Sequence, residues 1–210
     1  MTILDNPQVA LWRGSFGDDY VLRNAPNDAE IKKLLPLWIE IFGRIAPQPV
    51  KSILEVGPNV GLNLRALRQM SDARFFAVEP NDLAREVLLR DGVLDAGDLR
   101  AGTAANIDFP NGVADLAFTN GVLIHINPEA LFTSCQELHR CARTWIACIE
   151  YFSHQPETIP YRGHANALFK RDFGSFWLDN FPDLNAVAYG FCWQRMTGLD
   201  NPHWWLFRKS

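Results

Sequence analysis

Apolar side chains along the chain follow two alternating spacings, one typical of helices and one typical of buried strands. Between Asn27 and Pro47 they recur every three or four residues. This spacing predicts an amphipathic helix that begins at Asn27 or Asp28 and ends before Pro47, with its apolar face against a sheet. The apolar positions of this predicted helix are Ile31, Leu34, Leu35, Trp38, Ile41, Phe42 and Ile45.

Beyond position 50, short apolar runs alternate with segments of helical spacing. Runs that are apolar on both faces are typical of parallel strands covered by helices on each side. The last two runs are separated by Gly198, Asn201 and Pro202, which predicts an antiparallel hairpin at the edge of the sheet. We therefore predict an α/β fold with seven strands. The predicted strands are 51–57, 74–79, 99–101, 115–119, 144–150, 186–193 and 204–208, and the later helices cover 62–70, 82–89, 127–142 and 172–180.

The length and apolar content of the chain fit one domain with a substantial core. It has 210 residues, of which 48% are hydrophobic, and no repeat or Gly/Ser-rich linker divides them. We expect a single domain with four parts. These are an N-terminal cap segment and helix (1–46), a cofactor-binding core (51–150), a substrate insert (151–172), and a closing helix and hairpin (173–210).

Charge and composition argue against several partners and locations. With a net charge of −4, the chain lacks the cationic surface that nucleic-acid binding needs. No apolar stretch is long enough for a membrane span, and the N-terminus lacks the pattern of an export signal. The four cysteines have no CxxC pair and no His at metal-ligand spacing, so we expect buried, reduced thiols, no metal site and a cytoplasmic protein.

A glycine-containing turn after the first predicted strand carries the first functional hypothesis. Its sequence is Glu55-Val-Gly57-Pro-Asn-Val-Gly61-Leu-Asn63. Glycines at a strand-to-helix turn let the backbone approach a ligand closely, and the free N–H groups of the helix N-terminus favour an anionic end. The second strand ends in Glu79, 18 positions beyond Gly61, where a carboxylate can accept both hydroxyls of a ribose. In an open α/β sheet, ligands bind outside these carboxyl ends of the strands.

The glycine spacing distinguishes between nucleoside cofactors. A dinucleotide fingerprint needs G-x-G-x-x-G and a phosphate P-loop needs GxxxxGK[ST], and neither is present in this turn. The pattern E-x-G-x-x-x-G-x-N, followed by an acid at the end of the next strand, resembles the class I S-adenosylmethionine-dependent methyltransferases over residues 51–150. The resemblance implies a Rossmann-like, seven-stranded, mostly parallel sheet with helices on both faces, an antiparallel C-terminal hairpin, and S-adenosyl-L-methionine as cofactor.

This resemblance also implies roles for individual positions. Glu55, Gly57 and Gly61 match the turn that lies against the methionine part of the cofactor, and Glu79 matches the acid that holds the ribose. The complete set of cofactor-binding residues expected on this basis is Tyr20, Arg23, Glu55, Gly57, Asn59, Gly61, Asn63, Glu79, Pro80, Asn81, Thr103, Ala104, Asn120 and Gly121.

The loop expected beside the adenine departs from the family pattern. Residues 103–105 match this loop, where many members have an acid for the exocyclic amine and this chain has alanines. Asn106 or Asp108 are candidate substitutes for that acid. Asn120 and Gly121 match the segment next to the methyl-bearing sulfur.

Segments outside the core extend the resemblance and indicate a substrate. Residues 119–125 lack the N-P-P-[YF] sequence of the branch that methylates base amino groups. Four segments are similar to a small methyltransferase family associated with pseudaminic acid biosynthesis. This similarity implies a sugar, a nonulosonic (pseudaminic-type) acid or a precursor as the small-molecule substrate. The segments are 12–24, 121–126, 159–164 and 169–173.

The residue types in the insert are compatible with a sugar acid. Such a ligand needs a cation for its carboxylate, polar groups for its hydroxyls and an aromatic wall, and Arg suits a bidentate carboxylate contact. From the N-terminal side, Tyr20, Arg23 and Asn24 could close the site, with Arg23 facing the cofactor carboxylate. The predicted substrate-binding residues are Tyr151, His154, Tyr161, Arg162, His164, Lys170 and Arg171.

A sulfonium methyl is already activated, so the main task of the protein is to align the reactants and exclude water. If the acceptor is a hydroxyl, a general base would help. His125 is the first candidate, because the unperturbed pKa of His lies closest to neutrality. His154 and His164 follow, and Glu150 is the carboxylate alternative. Two other interpretations remain open: a nicotinamide-dependent sugar oxidoreductase and a non-catalytic nucleoside-binding module.

Overall fold

The computed structural model describes residues 7–210; the first six residues of the predicted cap segment lie outside this part. The helices are α1 (Pro7–Arg13), α2 (Ser15–Arg23), α3 (Asp28–Ile45), α4 (Leu62–Leu67), α5 (Asp82–Arg90), α6 (Pro128–Cys141), α7 (Phe173–Asn180) and α8 (Gln194–Thr197). The strands are β1 (Ser52–Val56), β2 (Arg74–Glu79), β3 (Leu99–Ala101), β4 (Ala114–Asn120), β5 (Ala142–Glu150), β6 (Glu157–Tyr161), β7 (His164–Lys170), β8 (Leu184–Phe191) and β9 (His203–Lys209).

The main sheet has seven strands in the order β3-β2-β1-β4-β5-β9-β8. The first five strands in this order pair in parallel, and β9 pairs antiparallel with both β5 and β8. The predicted α/β architecture with an antiparallel C-terminal hairpin is therefore confirmed. Strand order reverses direction between β1 and β4, so the carboxyl ends of β1, β2 and β4 meet at one edge where a crevice can form.

Helix α3 covers one face of this sheet as the apolar spacing predicts. Asn27 is its N-cap, and the Asn27 side chain accepts a hydrogen bond of 3.0 Å from the backbone N–H of Glu30. Trp38 is fully buried, and its ring meets that of Phe118 on β4 with centroids 4.6 Å apart. A second group of buried side chains, including Phe173 and Trp177 of α7, covers the opposite face.

Two regions have more regular structure than the sequence analysis predicts. The N-terminal segment forms α1 and α2, and the predicted insert contains the separate two-stranded hairpin β6–β7. The burial pattern of both regions is weak: α1 has no buried residue, and most of β6 is exposed. Helix α4 ends at Leu67 and not at Met70, since the chain tightens there into i→i−3 bonds from Gln69 and Met70.

The thiols of the chain are reduced and buried. Cys135, Cys141, Cys148 and Cys192 are all free and inaccessible, as the sequence analysis predicts. Among the helices of residues 7–210, none combines the length and apolarity that crossing a bilayer requires.

Candidate active site

A cavity of about 280 Å³ lies at the carboxyl ends of β1, β2 and β4. Its floor consists of the loops that follow these strands, and its roof consists of α1 and α2. Of the predicted cofactor residues, all but Arg23 and Gly61 line it. The lining members are Tyr20, Glu55, Gly57, Asn59, Asn63, Glu79, Pro80, Asn81, Thr103, Ala104, Asn120 and Gly121.

The turn after β1 has a backbone that only glycine adopts freely. Gly57 has φ +70°, and a Cβ there would come 2.7 Å from a methyl carbon of Val122. Gly61 has φ +78° and precedes α4 as its N-cap, but it lies outside the cavity lining. Gly61 therefore shapes the turn and packs against Leu88, and the prediction that it contacts the cofactor directly has no support in the lining.

Glu79 is held rigidly at the end of β2. Its Oε2 accepts a bond of 2.9 Å from the backbone N–H of Asn59, and its Oε1 accepts one of 2.9 Å from the N–H of Asn81. Each oxygen keeps a further lone pair for a ligand. Burial raises the pKa of Glu79 to about 7, and the two backbone bonds partly oppose this rise.

Glu55 lies at the end of a buried hydrogen-bond network. Its Oε1 accepts a hydrogen bond of 2.8 Å from Asn63 Nδ2. Asn63 Oδ1 in turn accepts hydrogen bonds from the Trp38 indole N–H and from Asn120 Nδ2. The other carboxylate oxygen, Oε2, is buried without a partner among the described residues. Burial raises the pKa of Glu55 to about 8. A buried, unpaired acceptor in a cavity wall suits a ligand that brings a donor.

The adenine side departs from one prediction. Thr103, Ala104 and Ala105 line the cavity as expected, and the Thr103 hydroxyl is buried without a partner within residues 7–210. Asn106 and Asp108 were predicted as substitutes for the missing acid, but both are exposed and outside the lining. The structure therefore gives that prediction no support, and the Thr103–Asn106 bridge closes the turn that precedes Asp108.

The two N-terminal helices are fastened over the cavity through Asn81. The Asn81 amide donates to the carbonyl of Trp12 at 3.1 Å and to Asp18 at 2.8 Å, and its Oδ1 caps α5 through Ala84. Gly17 passes so close to the Trp12 carbonyl that a Cβ would overlap it. Asn81 thus joins the roof to the end of β2.

His125 lies on a short 3₁₀ turn after β4 and faces the cavity. Its Nδ1 is 2.6 Å from the carbonyl oxygen of Ala167 on β7, so Nδ1 carries the proton and Nε2 keeps the lone pair. Burial lowers the pKa of His125, which keeps the ring neutral at pH 7. The rings of Trp12 and Tyr161 lie 4.9 and 5.0 Å from it, centroid to centroid.

Glu150 was predicted as an alternative base, but it lies beneath the cavity and outside its lining. Its two oxygens accept from the backbone N–H groups of Val122, Leu123 and Ile124 at 3.0 to 3.3 Å. Burial raises the pKa of Glu150 to about 7. The arrangement assigns Glu150 to holding the turn that carries His125.

The predicted substrate residues divide into two groups. Tyr161 and His164 contact Phe16 of α2, and the guanidinium of Arg162 lies 5.6 Å from the Tyr161 ring centroid. These three sit beside the roof, near His125. Lys170 instead lies over Tyr151, which donates a hydrogen bond to Asp200.

The remaining predicted contacts are outside the cavity. Arg171 lies over the ring of Phe176, and His154 is exposed on the loop before β6. Arg23 is exposed and lies 5.7 Å from the Tyr20 ring centroid. Within residues 7–210, no Lys or Arg side chain lines the cavity. The predicted insert therefore contributes to the rim of the site, and not to its walls.

Several lining residues were missed by the sequence analysis. Gln8, Val9, Trp12 and Gly17 of α1 and α2 line the roof, and Ser134 of α6 lines the opposite side. The spacing of Trp12, Phe16 and Tyr20 at intervals of four was the available signal for helical structure here, although the chain breaks between α1 and α2 at Gly14.

Comparison with known proteins identifies a domain within this chain. Residues 54–144 match the family described as "Methyltransferase domain". A search of curated proteins gave no match.

Solved structures with the same fold span nearly the whole chain. The Burkholderia thailandensis 1,6-didemethyltoxoflavin-N1-methyltransferase, solved with 1,6-didemethyltoxoflavin and S-adenosylhomocysteine, is 19% identical with a TM-score of 0.68, covering 99% of this chain and 92% of that one. The magnesium protoporphyrin IX methyltransferase of Synechocystis, solved with S-adenosylmethionine, is 12% identical with a TM-score of 0.69, covering 98% and 99%. A Leishmania major S-adenosylmethionine-dependent methyltransferase is 16% identical with a TM-score of 0.68, covering 97% and 87%.

The sheet order, the matched domain and the cavity together define the class of this protein. It is an S-adenosylmethionine-dependent methyltransferase with a Rossmann-like fold. The matched domain includes the turn after β1, Glu79 and His125, so the chemical groups described above lie within it.

Proposed function

We propose that the protein transfers a methyl group from S-adenosylmethionine to a hydroxyl of a sugar, a nonulosonic (pseudaminic-type) acid or a precursor of one. The observation that carries the proposal is that Glu55, Glu79 and His125 line one cavity. Two buried carboxyls on one side suit a nucleoside that brings cationic and hydroxyl groups, and a neutral imidazole on the other side suits an acceptor that must lose a proton.

The residues of the cavity fit the cofactor chemically. The unpaired Oε2 of Glu55 is an acceptor for an ammonium group, the free lone pairs of Glu79 are acceptors for ribose hydroxyls, and the unpaired Thr103 hydroxyl lies where the adenine is expected. The close backbone at Gly57 leaves room for the methionine part. When bound, S-adenosylmethionine supplies a methyl group activated by the sulfonium sulfur.

The chain's own contribution to the chemical step is proton removal and alignment. With the cofactor bound, His125 Nε2 would take the proton that the acceptor hydroxyl loses, and the positive charge would then reside on the imidazolium. The Ala167 carbonyl keeps accepting from Nδ1–H and so stabilises that cation. Trp12 and Tyr161 shield the ring from water, which favours direct transfer within the cavity.

The rim of the cavity supports an acidic acceptor. The guanidinium groups of Arg23 and Arg162 lie over Tyr20 and Tyr161 respectively, and the charges of both oppose the burial-driven rise of the Tyr20 pKa. In the described part of the chain, neither Arg23 nor Arg162 forms an ion pair with a carboxylate. Two such cations beside two tyrosine rings suit a sugar acid whose carboxylate remains at the mouth.

Location and organisation complete the proposal. The four buried, free thiols support a reducing, cytoplasmic environment. We assign residues 51–150 to cofactor binding, with the segment before them and the hairpin after them forming the roof and rim of one domain.

The test combines binding and transfer. Calorimetry with S-adenosylmethionine and S-adenosylhomocysteine is expected to give saturable binding, and labelled methyl transfer to nonulosonic acids and their precursor sugars is expected to give a labelled product. Reduced-nicotinamide absorbance during turnover with the same sugars serves as the control for oxidation. Binding without transfer to any of these sugars would refute the proposed acceptor class while leaving cofactor binding intact.

A further inference from the structure

Among residues 7–210, the amide of Gln8 on α1 finds a partner for only one of its two polar atoms. Its Nε2 donates to the backbone carbonyl of Asn166 on β7 at 3.1 Å. A carbonyl can only accept, so this bond fixes which end of the amide is the NH₂ group. The other atom, Oε1, is buried and has no partner among residues 7–210, and Gln8 lines the cavity.

His125 is held by the next residue of the same strand. Its Nδ1 donates to the carbonyl of Ala167, which leaves Nε2 as an acceptor. Trp12, one helical turn beyond Gln8, contacts the imidazole ring at 4.9 Å between centroids. Neighbouring carbonyls of β7 thus fix two side chains that line one cavity, and each keeps one acceptor atom without a donor assigned to it.

A buried polar atom without a partner is rare in folded proteins and needs a reason. Gln8 lines the cavity, and its amide cannot reverse its orientation without losing the bond to Asn166. Within residues 7–210 no Lys or Arg lines the cavity to satisfy it. A hydrogen-bond donor on a bound molecule is the partner that this arrangement lacks.

We infer that Gln8 is a specificity-determining residue that accepts a hydrogen bond from the methyl acceptor. The inference rests on the proposed function and narrows its substrate class. The acceptor carries at least two donors: the hydroxyl whose proton His125 takes, and a second hydroxyl or N–H that binds Gln8 Oε1. Any carboxylate of the acceptor lies at the rim, where Arg23 and Arg162 are, because no Lys or Arg of residues 7–210 lines the walls.

The test combines variants of the Gln8 side chain with substrate analogues that each lack one hydroxyl group. Gln8→Leu removes the acceptor atom at similar volume, and Gln8→Met is a second replacement should the first lose S-adenosylhomocysteine binding. Gln136→Leu on the exposed side of α6 is the matched control. Methyl transfer is measured with N-acetylneuraminic acid, 2-keto-3-deoxynonulosonic acid and monodeoxy analogues of each.

For the intact acids, Gln8→Leu is expected to lower kcat/KM at least tenfold, with the dissociation constant of S-adenosylhomocysteine changed less than threefold. With the wild-type protein, one deoxy analogue should have a kcat/KM lower than that of the intact acid by a similar factor. For this analogue, Gln8→Leu should lower kcat/KM by less than a further threefold. If Gln8→Leu lowered kcat/KM equally for every analogue, the inference would be overturned, although methyl transfer itself would stand. Absence of transfer by the wild type to any compound would refute the proposed acceptor class, and this inference with it.

Discussion

The two ends of the cavity are built in different ways. At the cofactor end, Glu79 is fixed by backbone N–H groups of Asn59 and Asn81, which lie within 20 positions of it. At the acceptor end, Gln8 and Asn166 meet across 158 positions, and His125 and Ala167 across 42. The cofactor end is formed by the strand-to-helix loops themselves. The acceptor end forms only where the roof meets the β6–β7 hairpin.

This difference separates cofactor binding from acceptor selection. The loops after β1 and β2 extend directly from strands of the central sheet, and these strands are buried on both faces. The roof and the hairpin are only partly buried, and they touch through a few side chains. Changes at the roof should therefore alter the acceptor reaction while the cofactor site keeps its shape.

The largest effect is expected at His125. His125→Ala should lower kcat by about 100- to 10,000-fold, the usual range for a lost general base. Binding of S-adenosylhomocysteine, measured by calorimetry, should change little because Glu55 and Glu79 are untouched. His139→Gln on α6, whose ring contacts Asp183 away from the cavity, is the control. Full activity of His125→Ala between pH 6 and 9 would exclude it as the base.

Glu79→Ala should weaken S-adenosylmethionine binding by about 100-fold, because it removes a buried acceptor and leaves two backbone N–H groups unpaired. Calorimetry measures this loss directly. Asp82→Ala removes a neighbouring carboxylate that is 85% exposed, and it should bind normally. Unchanged affinity in Glu79→Ala would show that the ribose is held elsewhere.

Stability should fall as pH rises from about 5 to 8. Burial raises the pKa of Glu55 to about 8 and of Glu79 and Glu150 to about 7, so the folded state binds more protons than the unfolded state in this window. Each carboxyl should contribute about 1–3 kcal/mol to the decrease in the free energy of unfolding. Chemical denaturation at both pH values measures it, and Glu55→Gln should give a smaller decrease. An identical pH dependence in that variant would contradict the assignment.

Gly17→Ala is expected to have the smallest effect, and it acts mainly on the roof. The added methyl group overlaps the Trp12 carbonyl and approaches the Asn81 amide, so α1 must move. Acceptor kcat/KM should fall about tenfold (~1.4 kcal/mol), with a smaller change in S-adenosylhomocysteine affinity. Gly43→Ala, in α3 with no atom near the added methyl, should instead stabilise the protein by about 0.5–1 kcal/mol. Equal losses of both activities in Gly17→Ala would mean that roof and cofactor site move together.

Much of the central fold was predictable from the chain. The spacing of apolar residues located β1 to β5, and Asn27 and Asn127 marked the helix starts that the structure confirms. These features depend on neighbours within a few positions, where side-chain period and capping act. The cofactor loops follow because the carboxyl ends of parallel strands must meet at one edge.

The roof and rim were harder to predict because their contacts are distant in sequence. No local pattern indicates that Gln8 binds the backbone of Asn166. The cations of the insert were expected to face a substrate in the site, yet Lys170 and Arg171 lie over aromatic rings away from the cavity. Glu150 was expected as a base, but its carboxylate oxygens accept hydrogen bonds from three backbone N–H groups of residues 122–124.

Sequence alone determined the sheet, the glycine turn and the acid at the end of β2, because each follows from the chemistry of residues close along the chain. Tertiary structure decided which polar atoms remain free in the cavity. A side chain such as Gln8 or Glu150 takes its role from the groups that reach it in space, and those groups come from segments that only folding brings together.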